Sequence, residues 1–210
     1  MRRFLLGDWG RVIRDPIDLL RLTFLVGAVV FAFSGDVKGV ANLAVAAVAV
    51  VVARLVNLPR AYDLAFVLAL VFTGWGEALG LYDRYGWYDR VVHFWVPALS
   101  APVAYLALAR VEVLPDPRAP SHGVRRYAAI AVVTFALGLA VGALWEIVEW
   151  SSDLLLGSNL SEDNEDTVGD LIADALGSLL GAALLVVWTR FGWGSVRRIP
   201  GENRFEATTG

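Results

Sequence analysis

Residues 127 to 153 read YAAIAVVTFALGLAVGALWEIVEWSSD. From Tyr127 to Trp145 the stretch carries no charged side chain. That is the apolar length a helix needs, at about 1.5 Å per residue, to cross about 30 Å of hydrocarbon. It then sets Glu146, Glu149 and Asp153 at i, i+3 and i+7, which aligns three acids on one helical face. The apolar run predicts a membrane helix. The acids at its end predict that this helix has polar partners.

The rest of the chain agrees. Of 210 residues, 57% are hydrophobic and 19% charged, too apolar a balance for an ordinary soluble domain. Six segments read as spans: Asp18 to Ser34, Gly39 to Val56, Ala61 to Leu81, Val91 to Ala109, Tyr127 to Trp150 and Asp170 to Trp188. The first is the weakest, because Arg21 interrupts it. The fold class predicted is all-α, a polytopic membrane bundle of about six transmembrane helices with no second domain. Residues 1 to 17 form an amphipathic interfacial segment and lack the pattern of a cleaved signal peptide. Residues 18 to 190 are the transmembrane domain. Residues 191 to 210, ending RRIPGENRFEATTG, are a cytoplasmic tail able to bury almost nothing.

Orientation follows from the basic residues, which are enriched in cytoplasmic loops. With six spans, only Lys38, Arg84 and Arg90 of the 18 Lys and Arg fall on one side. That side is therefore outside, both termini are cytoplasmic, and the acidic ends of the helices face outward from an inner membrane. The connection VEVLPDPRAPSHGVRR, with His122 within it, is a polar, Pro-rich cytoplasmic loop. Asn159-Leu160-Ser161 has the form of a glycosylation acceptor on the outer side. The absence of cysteine excludes disulfides, thiolate metal sites and a Cys nucleophile. A net charge of −3 conceals a basic inner and an acidic outer surface, and nucleic acid is not an expected partner.

Three outward stretches carry the chemistry. In LYDRYGWYDRVVHFW, residues 81 to 95, Asp89 and His93 are four apart and share a face. The second stretch is the Glu146, Glu149 and Asp153 stripe. In EDTVGDLIADALGSLLG, residues 165 to 181, Asp166, Asp170 and Asp174 step by four, with Gly177 and Gly181 following on nearly the same face. Glu77, near the outer end of the third span, joins them. Simpler readings account for part of this. Asp166 can cap a helix, with Thr167 and Asp170 at capping-box spacing. Asp83 and Arg84 suit solvated loop charges, and a single buried His is more often a satisfied core residue than a ligand. Trp75, Trp87, Trp95, Trp145 and Trp150 suit an interfacial aromatic belt. Gly138 and Gly142, like Gly177 and Gly181, have the spacing for close helix approach, within one chain or between two.

The sum of acids exceeds what these readings absorb. Ionisable groups in hydrocarbon mark a functional site by default, and this cluster outnumbers its nearby bases, Arg84, Arg90 and His93. It would repel itself unless protons or cations neutralised it. The expected cofactor is a divalent metal ion. Oxygen-rich ligation with one imidazole suits Mn, Fe or Zn, and Mg or Ca if His93 stays outside the coordination sphere. The candidate ligands are Glu77, His93, Glu146, Glu149, Asp153, Asp166, Asp170 and Asp174, and the candidate catalytic residues are His93 and Asp89.

The motifs WYDRVVHF, WEIVEW and EDTVGDLIADALGSLLG, in this order, resemble the YjdF-like family of uncharacterised prokaryotic inner-membrane proteins. More distantly they look VanZ-like. The likeness covers roughly residues 60 to 188. It implies a compact helical membrane protein in which Asp89, His93, Glu146, Glu149, Asp166, Asp170 and Gly177 match the family pattern. The VanZ-like link to glycopeptide tolerance implies cell-envelope chemistry by association.

Three function classes follow. The first is a metal-dependent hydrolase or transferase acting on a lipid or polyprenyl-linked substrate, with a carboxylate or His93 as general base. The second is a binding or structural protein, in contact with membrane lipids, whose polar cluster ties helices together. The third is a cation or proton transporter. The inner halves of the helices speak against the third, since they hold almost no ionisable residue beyond Asp63.

Overall fold

The computed structural model describes residues 16–56, 58–117, 123–156 and 164–191. The interfacial segment before Pro16, His122, Asn159 and the tail after Phe191 lie outside them. Among the described residues the chain is all helical, and it divides into two compact units, one ending at Leu79 and one from Gly80 to Phe191.

The first unit contains α1 (Pro16–Ser34), α2 (Val37–Val56) and α3 (Arg60–Ala78). Pro16 is the first described residue of α1. Gly35, at φ 76°, closes it in the left-handed conformation, and Asp36 Oδ1 then accepts from the Gly39 N–H at 3.0 Å to cap α2. Within α3, residues Val71–Trp75 form a π-helical turn. Phe24, Leu43, Ala46, Val50 and Val67 make the core, with α2 packed on α1 and on the second half of α3.

Arg21 disturbs the apolar pattern of the first span, and the fold accommodates it with two partners. Its guanidinium is buried and paired with Asp18, one turn back, and with Asp63 at the start of α3. Trp75, expected in an aromatic belt, is half-buried, lies over Gly27 and donates to Thr23 Oγ1 at 3.2 Å.

The second unit holds a one-turn helix, Leu81–Arg84, then α4 (Tyr88–Arg110), α5 (Val124–Leu156) and α6 (Asn164–Phe191). Helix α6 is central, packed against both α4 and α5. The four small residues picked out by spacing are all used inside this unit. A Cβ at Gly177 would overlap the Phe94 carbonyl, and one at Gly181 would lie 2.7 Å from the Ala98 carbonyl. Pro102 has no N–H to offer that Ala98 carbonyl, which lies against Gly181 of α6. Gly138 faces Ser178, and Gly142 faces the Asp174 carboxylate.

Among the described residues five helices, α1, α3, α4, α5 and α6, are long and apolar enough to cross a membrane. Helix α2 has 20 residues, with a shorter apolar stretch at Val37–Val51. Apart from α3, which ends at Ala78 before the left-handed Gly80 and so short of the expected Leu81, the observed helices outrun the expected spans because hydropathy registers only their lipid-compatible part. Helix α5 has 33 residues, about 50 Å at 1.5 Å per residue. Helix α6 already begins by Asn164, so Asp166 lies within its first turn, and neither the cap expected at Asp166 nor the Thr167 and Asp170 capping-box pair starts it.

Candidate functional site

The second unit builds its polar site from one face of each helix. Asp89 and His93 stand on successive turns at the start of α4, Asp170 and Asp174 on successive turns of α6, and Glu146 and Glu149 near the end of α5. Close packing at the glycines brings the three faces together.

His93 is the hub, only 4% exposed. Its Nδ1 lies 3.2 Å from Asp174 Oδ1, and its Nε2 lies 3.6 Å from Asp89 Oδ1 and 3.7 Å from Glu146 Oε1. The geometry favours an Nδ1–H donating to Asp174, whose carboxylate is a strong acceptor. In that tautomer Nε2 carries the lone pair and has the Asp89 and Glu146 carboxylates as neighbours. Glu146 also hydrogen-bonds the Thr167 side chain, and Trp145 Nε1 donates to Glu149 Oε1 at 2.7 Å.

Buried polar atoms ordinarily have partners. Here His93 Nε2, Glu146 Oε1, Asp170 Oδ1 and Asp174 Oδ2 are buried without a hydrogen bond. Two triads each present one ligand atom per residue, all within 4.8 Å of one another: Asp89, His93 and Asp170, and His93, Glu146 and Glu149. Imidazole nitrogen plus carboxylate oxygens is a donor set suited to a borderline or hard divalent ion. The orphaned atoms fit the presence of such a group.

The structure thus brings together Asp89, His93, Glu146, Glu149, Asp170 and Asp174. Asp166 reaches their edge through Arg90, whose Nη2 is 3.6 Å from Asp166 Oδ1 and whose Nε is 3.7 Å from Asp170 Oδ1. Asp153 lies one turn beyond Glu149 and belongs to neither triad. Glu77 belongs to the first unit, where it pairs with Lys38. Sequence reasoning missed Thr167 as a partner of Glu146, because a Thr in an acidic first turn reads as a cap. It also missed the Arg21 triad, although Asp18 and Arg21 at i, i+3 are a visible pair.

Comparison with known proteins agrees with the membrane-family resemblance drawn from the motifs. An uncharacterized protein of Thermotoga maritima is 28% identical over 103 residues, which cover 49% of this chain and 49% of that protein. The chain therefore spans about half the length of that relative. No solved structure matches. Residues 19–191 match the family described as "Predicted membrane protein (DUF2238)", and the chain belongs to that family of integral membrane proteins.

Proposed function

We propose that the His93 cluster binds a divalent cation and that the protein uses it as a hydrolase or transferase on a lipid or polyprenyl-linked substrate of the cell envelope, at an outward-facing site of the inner membrane. The observation that carries this reading is the set of orphaned buried atoms, His93 Nε2, Glu146 Oε1 and Asp170 Oδ1, in two triads with ligand atoms within 4.8 Å. A cluster serving only to hold helices together gains by satisfying its own members, since an unmade buried bond costs about 1–3 kcal/mol.

In this reading His93, Glu146 and Glu149 hold the ion, and Asp89 and Asp170 form the neighbouring triad on the same imidazole. Asp174 is a positioning residue that fixes the imidazole tautomer through Nδ1, a role distinct from the ligation expected from its spacing. A divalent ion supplies Lewis-acid polarisation of a phosphate oxygen. Asp89, with a third of its side chain exposed, is the member of the cluster best placed to exchange a proton with water or substrate, as general base.

The test is phosphate release from a polyprenyl pyrophosphate in detergent micelles, with Mn, Zn or Mg against chelator. Metal-dependent release that falls about 100-fold or more in Asp89→Asn and Glu146→Gln is expected. Absence of release with every metal removes the enzymatic reading. A second reading, helix tying, is favoured by the His93–Asp174 hydrogen bond, which joins α4 to α6 directly. It predicts that His93→Ala lowers the melting temperature by the same amount with and without metal.

A further inference from the structure

At the start of α4, Gly86, Trp87, Arg90, Val91, Phe94 and Trp95 line a groove of about 430 Å³ that Arg90 connects to the edge of the His93 cluster. Its lining combines two chemistries. Trp87 and Trp95 are 61% and 40% exposed and stand eight residues apart, about 12 Å along the helix. Phe94 meets Trp95 edge to face, with centroids at 5.2 Å. This stretch is an apolar aromatic bed.

Arg90 is the charged residue in the lining, and it stands where the groove meets the acidic site. Its guanidinium lies over Gly169, where a side chain would meet it, and reaches Asp170, a member of the Asp89 and His93 triad. The distances to Asp166 and Asp170, 3.6 and 3.7 Å, exceed the roughly 2.7–2.9 Å of a charge-assisted hydrogen bond. With 59% of its side chain exposed, Arg90 has donors available for an incoming oxyanion.

We infer that this groove is the subsite for a phosphate-bearing lipid, with Arg90 binding the phosphate and Trp87, Phe94 and Trp95 holding the apolar chain. Charge complementarity selects an anion at Arg90, and the aromatic side chains that flank it along the helix select a hydrocarbon. A free phosphate would use only the first, and an uncharged lipid only the second. A phosphate on Arg90 is also beside Asp170, so the head group is delivered to the edge of the cluster. The inference names the substrate class of the proposed metal-dependent function and rests on that reading for the chemistry, whereas binding itself requires only the groove and Arg90.

The test uses the full chain in detergent micelles, titrated with dioctanoyl phosphatidic acid, dioctanoylglycerol and inorganic phosphate by calorimetry, each in metal-containing and chelator-containing buffer. Phosphatidic acid is expected to bind at least tenfold more tightly than either control. Arg90→Gln should reduce it to the level of dioctanoylglycerol, Arg90→Lys should retain part of the difference, and Trp95→Ala should weaken the lipid but not phosphate. Melting curves on the same samples report folding and metal stabilisation. If Arg90→Gln does not fold, the Trp95→Ala comparison decides. Equal binding of phosphatidic acid and dioctanoylglycerol, or phosphatidic acid binding that neither Arg90→Gln nor Trp95→Ala changes, overturns the subsite. Inorganic phosphate binding as tightly as phosphatidic acid overturns its lipid character. Lipid binding through Arg90 without any metal effect retains the groove and removes the metal reading, and the reverse pattern does the opposite.

Discussion

At the scale of single residues, the two buried ionic groupings differ in how they are satisfied. Arg21 has Asp18 and Asp63 on its guanidinium, whereas His93 is bonded only through Nδ1. Removing the central cation of the first leaves two carboxylates buried without it, and such a break costs about 3–5 kcal/mol. Arg21→Ala should therefore lower the melting temperature sharply, and adding Asp63→Ala should recover a measurable part of the loss in a double-mutant cycle. Strict additivity of the two would show that they do not interact. For His93, loss of the one nitrogen ligand should matter most to ions that favour imidazole. His93→Ala is expected to reduce stabilisation by Mn or Zn far more than by Ca or Mg, read from melting curves with each metal. An equal loss for all four would place the imidazole outside the coordination sphere. Asp89, His93, Glu146, Glu149 and Asp170 were readable in advance because helical spacing aligns them. The Arg21–Asp63 pair was not, since 42 residues separate its members and no period connects them.

At the scale of elements, α4, α5 and α6 approach closely because glycine stands where another helix's atoms need the space. Not every such glycine is equally constrained. At Gly177 an added Cβ meets the Phe94 backbone carbonyl, which cannot rotate away; at Gly169 it meets only the guanidinium end of Arg90. Gly177→Ala should destabilise by about 1–3 kcal/mol through overpacking. Gly169→Ala should be neutral or stabilising by up to about 1 kcal/mol, since it relieves the helix cost of glycine. Thermal melts of the two variants test the contrast, and similar losses would contradict it. The small-residue spacing was visible in the sequence, but spacing alone leaves open whether the partner is in the same chain. Element lengths were only partly legible: the apolar windows located α5 and α6, while their polar terminal turns, which hold Asp153 and Asp166, carry no hydropathy signal.

At the scale of the whole molecule, membrane character follows from composition and from the outward apolar side chains, such as Leu144, Ile147, Leu176 and Leu179, which the helices leave exposed to lipid. The basic residues predict its orientation. A reporter fused after Gly210 should be cytoplasmic and one inserted near Asn159 outside; reversal of both would turn the site inward. The grouping of Glu77 with the site rests on its expected depth alone. Glu77 has Lys38 beside it in the first unit, and the residues that His93 gathers belong to the second. The metal reading can be tested without knowing any substrate, by elemental analysis of the purified full-length protein after equilibration with Mn or Zn and removal of loosely held ions. The expected result is close to one ion per chain, lost in Glu146→Gln and His93→Ala variants that remain folded. Wild-type protein that retains no stoichiometric metal, or variants that retain as much as wild type, would contradict it.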